Sequence, residues 1–124
     1  MAKENKKILI GEDEQPLAKA LTYKLKKAGF DVSVVFNGEE VIKFIEKNKT
    51  DLIILDLVMP KKDGFSVLTE MKEKNIKIPV IVASNLGQQK DIEEAKALGA
   101  VDYIIKSDTQ LGEIVDRINK FLKL

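Results

Sequence analysis

The segment LIILDLVMPKKDG, residues 52–64, carries the clearest structural signal in the chain. Its first four residues are all apolar, which is typical of a strand buried on both faces of a sheet. Asp56 follows directly, Pro60 and Gly64 indicate a loop, and Asp63 is placed to cap a helix that begins near Gly64. A buried strand that leads through a loop into a helix predicts one unit of an α/β fold.

Similar apolar or β-branched runs recur at fairly even intervals, with helical patterns between and after them. The predicted strands cover residues 8–10, 32–35, 52–55, 80–82 and 103–105. Pro16 suits a first helical turn, Gly29 and Gly99 suit helix ends, and a polar fourth helix is expected at about residues 88–98. This strict alternation predicts right-handed crossovers and a parallel sheet covered on both faces.

The predicted architecture is therefore a flavodoxin-like, doubly wound (βα)5 sandwich of the α/β class. Five strands in such a fold most commonly take the order 2-1-3-4-5, with helices on both faces. Strands 1 and 3 then lie side by side at the topological switch point, where ligands bind at the carboxyl ends of the strands. At 124 residues, the chain has the size of one ordinary domain. We expect a single domain over residues 1–124, with a polar N-terminal tail at residues 1–6.

Composition and charge exclude several classes of function. Lysine and arginine number 21, aspartate and glutamate number 20, and the net charge is +1, so neither nucleic acid nor an anionic membrane is an expected partner. The absence of cysteine and histidine excludes disulfides, thiol nucleophiles, the usual zinc sites and a Ser-His-Asp triad. The apolar run at residues 8–10 is too short for a signal peptide or a membrane span, so a cytoplasmic location is expected.

Polar side chains follow four of the predicted strands at their carboxyl ends, where they can converge on one site. They are Glu12, Asp13 and Glu14 after strand 1, Asp56 after strand 3, Ser84 and Asn85 after strand 4, and Lys106 after strand 5.

Asp56 is the most informative of these residues, because it interrupts two apolar runs where an unpaired carboxylate would be costly. It either caps a turn before Pro60 or acts as a nucleophile or metal ligand. Glu12 and Asp13 either favour the positive end of the following helix or join Asp56 in a carboxylate cluster. Such a cluster, without histidine or thiolate, suits Mg²⁺ or Mn²⁺.

Ser84 and Lys106 complete the candidate site. Taken singly, Ser84 is compatible with an ordinary turn and Lys106 with a solvated side chain. Together, a hydroxyl and an ammonium group at the ends of neighbouring strands can both bind an oxyanion attached to Asp56. This combination fits phosphoryl transfer to a carboxylate, with an aspartyl phosphate as the product.

These residues resemble the receiver domains of two-component response regulators, including chemotaxis-regulator-like single-domain receivers. The resemblance rests on the acidic pair Glu12-Asp13, on Asp56 followed by Met59-Pro60-Lys61-Lys62-Asp63-Gly64, and on Ser84, Tyr103 and Lys106. It covers essentially the whole chain.

The resemblance implies a phosphorylation-dependent switch rather than an enzyme with a separate substrate. Asp56 would accept a phosphoryl group from a sensor histidine kinase or a phosphotransfer protein. Mg²⁺ would be held by Asp13, Asp56 and the backbone carbonyl of Val58, with Glu12 acting through a metal-bound water; Ser84 and Lys106 would bind phosphoryl oxygens. Tyr103 either turns inward on phosphorylation or is simply an aromatic residue packed on an edge strand.

The implied output is a changed surface on helix 4, strand 5 and helix 5, read by a downstream protein that the sequence does not name. A monomer and a phosphorylation-dependent dimer are both compatible with the sequence.

Four positions depart from the family or vary within it. Ser107 stands where proline with a cis bond is usual, so either a trans peptide with a reshaped loop or a strained cis peptide is expected. Asn85 stands where alanine or glycine is usual, which predicts narrower access to Asp56 and slower transfer. The apolar Val58 and Leu86 border the path of an attacking water, which predicts a longer phosphorylated lifetime.

Three other interpretations remain. A phosphatase of the haloacid dehalogenase type needs a second acid two residues after the nucleophile, and Val58 occupies that position. A flavin or nucleotide carrier would share the fold, but the chain has no glycine-rich phosphate loop. The main alternative is a receiver-shaped protein-interaction module that is not phosphorylated, as Asn85 and Ser107 together suggest.

Overall fold

Five strands and five helices alternate along the chain in the computed structural model, which describes residues 6–122. In order they are β1 (Lys7–Gly11), α1 (Gln15–Lys27), β2 (Asp31–Val35), α2 (Gly38–Lys47), β3 (Leu52–Leu55), α3 (Gly64–Glu73), β4 (Val80–Ser84), α4 (Gln89–Ala97), β5 (Asp102–Ile105) and α5 (Leu111–Leu122), with a short 3₁₀ turn at Lys106–Asp108. Of the predicted polar tail at residues 1–6, all but Lys6 lies outside the described residues.

All five strands are parallel and form one sheet in the order β2-β1-β3-β4-β5, which confirms the predicted fold. β1 and β3 pair from Ile8 with Leu52 to Gly11 with Leu55. β4 and β5 end together, with Ser84 opposite Ile105. The residues that follow these strands therefore leave the sheet along one edge.

Two apolar layers cover the sheet because successive strand residues face opposite sides. On one side Leu9, Ile53 and Val82 pack with α2, α3 and α4, among them Val41 and Leu68. On the other side Ile10, Ile54 and Ile81 pack with α1 and α5 through Leu25 and Ile118. Burial on both faces explains why the strands are apolar throughout rather than alternating.

A backbone hydrogen bond and one helix cap stabilise the loop between β3 and α3. The Asp63 side chain accepts a hydrogen bond from the Ser66 N–H at 2.8 Å, as its predicted capping role requires. Lys61 has a left-handed φ of 69°, and around it the Lys62 N–H donates to the Pro60 carbonyl at 2.8 Å. This tight turn returns the chain to the sheet edge.

Gly64 packs directly against the backbone that carries Asp56. Its N–H donates to the Leu57 carbonyl at 3.0 Å. A Cβ atom at this position would lie 2.6 Å from the Asp56 carbonyl oxygen and 2.7 Å from the Leu57 Cα. The glycine therefore permits a close approach that helps to place Asp56.

The other predicted boundaries agree with the structure to within two residues. Pro16 lies in the first turn of α1, and Gly29 and Gly99 follow α1 and α4 with φ of 102° and 112°. Every peptide bond among the described residues is trans, so the trans alternative holds at Lys106-Ser107. No helix within residues 6–122 has the length and apolar character needed to cross a bilayer.

Replacing Gly64 with alanine should destabilise the protein by about 1 to 3 kcal/mol, because the added methyl group meets backbone atoms that cannot move independently. Urea unfolding followed by circular dichroism measures this change. Gly112→Ala in α5 is the matched control, since nothing lies within 4 Å of a Cβ there and its stability should be unchanged or slightly higher. Equal unfolding midpoints for the two variants would contradict the packing argument.

Candidate functional site

Three carboxylates meet at the carboxyl ends of β1 and β3. Oxygen atoms of Glu12, Asp13 and Asp56 all lie within 4.8 Å of one another. The pairing of β1 with β3 produces this arrangement, and the Asp56 N–H extends it by donating to the Gly11 carbonyl at 2.9 Å. Glu12 and Asp56 are each only 4% exposed, whereas Asp13 faces solvent. The cluster is thus largely buried but open on one side.

Lys106 enters the cluster from the end of β5. Its Nζ lies 3.0 Å from Glu12 Oε1, 3.0 Å from Glu14 Oε1 and 3.3 Å from Asp56 Oδ2. The Lys106 side chain is 9% exposed, so solvent screens the Glu12 and Asp56 contacts weakly. One ammonium group therefore neutralises part of a site that holds several negative charges.

Burial has opposite effects on the two partners of this ion pair. It raises the pKa of Glu12 to about 7; the hydrogen bond from Lys106 opposes this shift, and the negative charge of Asp56 adds to it. Burial alone would lower the pKa of Lys106, but its hydrogen bonds to Glu12 and Glu14 outweigh burial and raise that pKa above the usual value. Lys106 therefore stays charged at neutral pH.

Ser84 lies at the end of β4 and is fully buried. Its Oγ accepts a hydrogen bond from the Leu86 N–H at 3.2 Å, which leaves the hydroxyl proton available for another acceptor. Tyr103, on β5, is half-buried, and its hydroxyl donates to the Leu86 carbonyl. Both side chains thus form hydrogen bonds with the backbone of the loop after β4.

A cavity of about 310 Å³ opens above Asp56. Its lining residues are Asp13, Glu14, Asp56, Val58, Ser84, Asn85, Leu86 and Lys106. A larger groove of about 480 Å³ near the start of β4 is lined by apolar residues, lysines and an asparagine, and by no carboxylate. Of these two, the smaller cavity has carboxylates beside a hydroxyl and an ammonium group.

The structure brings five of the predicted side chains together and places the sixth, Tyr103, outside the cavity. Glu12, Asp13 and Asp56 form the cluster, Ser84 and Lys106 flank it, and Tyr103 reaches the same loop. Glu14 is predicted at this edge from the sequence but without a role for its carboxylate, and the structure pairs it with Lys106. The only available signal was its position next to the acidic pair.

The donor set fits a hard divalent cation. Within residues 6–122, this cluster offers carboxylate oxygens and no nitrogen or sulfur ligand, which suits Mg²⁺ better than softer metals. Next to it, the Ser84 hydroxyl and the Lys106 ammonium group are hydrogen-bond donors. The arrangement can therefore hold a cation and an oxyanion side by side on Asp56.

Comparison with known proteins agrees with this geometry. The family model described as response regulator receiver domain matches residues 8–119. The alkaline phosphatase synthesis transcriptional regulatory protein PhoP of Bacillus subtilis strain 168 is 36% identical over 102 residues, which are 82% of this chain and 42% of that protein. The chain spans about half or less of the length of the curated relatives it matches.

Two solved structures extend the likeness to three dimensions. The receiver domain of the Francisella response regulator 1452 superposes with a TM-score of 0.91 at 33% identity, covering 96% of this chain and 98% of that one. The BeF3-activated N-terminal receiver domain of Klebsiella pneumoniae RstA gives a TM-score of 0.89 at 26% identity, covering 96% and 100%. With its strand order, its acidic edge and its family match over residues 8–119, the chain belongs to the receiver domains of two-component response regulators.

Proposed function

We propose that this domain is a phosphorylation-dependent signalling switch whose acceptor is Asp56. The observation that carries the proposal is the position of the buried Asp56 carboxylate, within 4.8 Å of two other acids and 3.3 Å from Lys106 Nζ. In the reaction, an Asp56 oxygen attacks phosphorus as the bond from phosphorus to the donor breaks. The donor is the phosphohistidine of a sensor kinase or phosphotransfer protein, and the product is an acyl phosphate.

Mg²⁺ is the proposed cofactor, with Mn²⁺ as a substitute. Asp13, Asp56 and the backbone carbonyl of Val58 would hold it, and Glu12 would act through a bound water. When bound, the cation offsets negative charge on the transferring phosphoryl group. Receiver domains typically bind Mg²⁺, and the carboxylate-only cluster supports the same assignment here.

Lys106 and Ser84 have the proposed role of holding the phosphoryl oxygens. Lys106 would exchange one or more of its three carboxylate contacts for a phosphoryl oxygen, and Ser84 would donate its hydroxyl proton to another. Each group would then bind the negative charge that the phosphoryl group brings to the site. They therefore favour the phosphorylated arrangement over the unmodified one.

The loop after β4 links the site to the proposed output surface. Ser84 accepts a hydrogen bond from the Leu86 N–H, and the Tyr103 hydroxyl donates to the Leu86 carbonyl. A movement of Ser84 toward the phosphoryl group would therefore act on Tyr103 through Leu86. We propose that α4, β5 and α5 form the surface to which a downstream protein binds. The domain itself would act as a monomer or as a phosphorylation-dependent dimer.

A receiver-shaped interaction module that is never phosphorylated is the second candidate. The observation in its favour is that the Lys106 ammonium group is already engaged in ion pairs with Glu12, Glu14 and Asp56. In such a module the ion pairs would serve stability alone, and partners would bind the unmodified protein.

The first test is phosphorylation by acetyl phosphate with Mg²⁺, read by intact mass. The wild-type protein should gain one phosphoryl group, and Asp56→Asn should gain none, because the amide is not a nucleophile. Asp63→Asn is the matched control: it keeps a good helix cap next to the same loop and should still be modified. Absence of any adduct on the wild-type protein at saturating donor would favour the interaction module.

The second test concerns the metal. Asp13→Asn should weaken Mg²⁺ binding about tenfold or more, because it removes one charged ligand from the cluster. Isothermal titration calorimetry measures the Kd. The exposed Asp116→Asn in α5 is the control for a general loss of negative charge and should leave the Kd unchanged. An unaltered Kd in Asp13→Asn would remove this residue from the ligand set.

The third test concerns the phosphorylated lifetime. Val58 is 59% exposed and Leu86 is half-buried, and both line the cavity over Asp56. Val58→Asn and Leu86→Glu should each shorten the half-life of the phosphoprotein, by roughly tenfold at most, because a polar side chain can orient the attacking water. Decay after removal of the donor gives the rate. Val101→Asn, at an exposed valine outside the cavity, should decay like the wild-type protein. Decay of Val58→Asn and Leu86→Glu at the wild-type rate would refute the idea.

A further inference from the structure

Asn85 and Ser107 meet just beyond the paired ends of β4 and β5. The last residue pair of these strands is Ser84 with Ile105. Beyond it, the Asn85 side-chain oxygen Oδ1 accepts a hydrogen bond from the Ser107 backbone N–H at 3.0 Å. A side chain thus adds one more link between the two strands, where the backbone ladder has already stopped.

Each partner of this hydrogen bond has a specific chemical requirement. A proline at position 107 would have no N–H to donate, and an alanine at position 85 would have no side-chain acceptor. The two residues that depart from the family pattern are therefore donor and acceptor of the same bond. Neither departure alone would form it.

The bond lies next to both groups that flank Asp56. Asn85 directly follows Ser84, and Ser107 directly follows Lys106. Both Asn85 and Ser107 are exposed, whereas Ser84 and the Lys106 side chain are buried. The contact therefore ties the chain segment that carries the hydroxyl to the segment that carries the ammonium group, at the rim of the cavity over Asp56.

We infer that the Asn85–Ser107 hydrogen bond sets the distance between the Ser84 hydroxyl and the Lys106 ammonium group, so that both reach one phosphoryl group on Asp56. This rests on the proposed phosphorylation of Asp56. Asn85 is then a positioning residue: it acts through Ser84 and Lys106 and does not itself bind the phosphoryl group. The Lys106-Ser107 peptide next to this bond is trans.

The test uses the full chain with Mg²⁺ and beryllofluoride, whose Kd is measured by calorimetry. Asn85→Ala should raise that Kd about three- to tenfold, the range for loss of one ordinary hydrogen bond, and should slow phosphorylation by acetyl phosphate. Ser107→Ala is the matched control: it removes the hydroxyl, keeps the N–H, and should behave like the wild-type protein. The Mg²⁺ Kd and the urea midpoint should not change in either variant.

Two further measurements distinguish alignment from a general structural effect. In Asn85→Ala, the Ser107 amide proton should shift upfield and exchange faster, because it has lost its acceptor. Ser107→Pro should weaken beryllofluoride binding in the wild-type background but add little in the Asn85→Ala background, because both substitutions remove the same bond.

Three results would contradict these expectations. Faster phosphorylation of Asn85→Ala would mean that Asn85 obstructs access to Asp56, as its size alone suggests, and would overturn the positioning role. An unchanged Kd together with a shifted Ser107 amide would overturn it as well, because the bond would then have no effect on the site. If the wild-type protein binds no beryllofluoride, the proposed function itself fails. If the wild-type protein and Asn85→Ala both bind it with the same Kd, only the positioning role is refuted.

Discussion

The contact of Lys106 with Glu12 and Asp56 is the constraint on which the site depends. Two buried carboxylates at the carboxyl ends of adjacent strands repel each other, and an uncompensated buried charge costs several kcal/mol. Lys106 crosses from β5 to supply the compensating charge at 3.0 and 3.3 Å. The strand order makes this possible, because it brings the ends of β1, β3, β4 and β5 to one edge. A cation at the carboxylates would add to the same neutralisation.

Because Lys106 contacts three carboxylates, the unmodified site has its own stable arrangement. A phosphoryl group on Asp56 would offer Lys106 a stronger acceptor and would offer Ser84 its first anionic one. The two arrangements thus use the same donors with different acceptors, which is the condition for a population shift. Glu14 is the most exposed of the Lys106 partners, with 60% of its side chain accessible. It is the contact that Lys106 gives up at least cost, because solvent can replace it.

Features that depend on a short stretch of sequence or on the strand order could be predicted from the sequence, and contacts that depend on side-chain conformation could not. Leu52 to Leu55 are apolar because the strand is buried on both faces, and Asp63 precedes its helix at the capping position; both features were visible in a short window. The carboxyl ends of parallel strands share an edge, so the topology alone placed Asp56 near Lys106. The pairing of Glu14 with Lys106 depends on long side chains 92 residues apart, and no spacing rule encodes their rotamers. Asn85 and Ser107 are two separate departures from the family pattern in the sequence, because the hydrogen bond between them joins residues 22 positions apart and exists only in the folded chain.

The position of Lys106 in the chain also bears on how the sheet is completed. Its partners Glu12 and Asp56 lie 94 and 50 residues earlier, so these ion pairs close long stretches of chain, whose ordering costs entropy. Without β5, the paired ends of β1, β3 and β4 would hold the acidic edge without its ammonium group. Docking of the last strand therefore does more than bury Ile104: it also supplies the charge that offsets the repulsion between the carboxylates. The charges that suit this edge for phosphoryl chemistry thereby make its assembly cooperative, joining the first strand to the last.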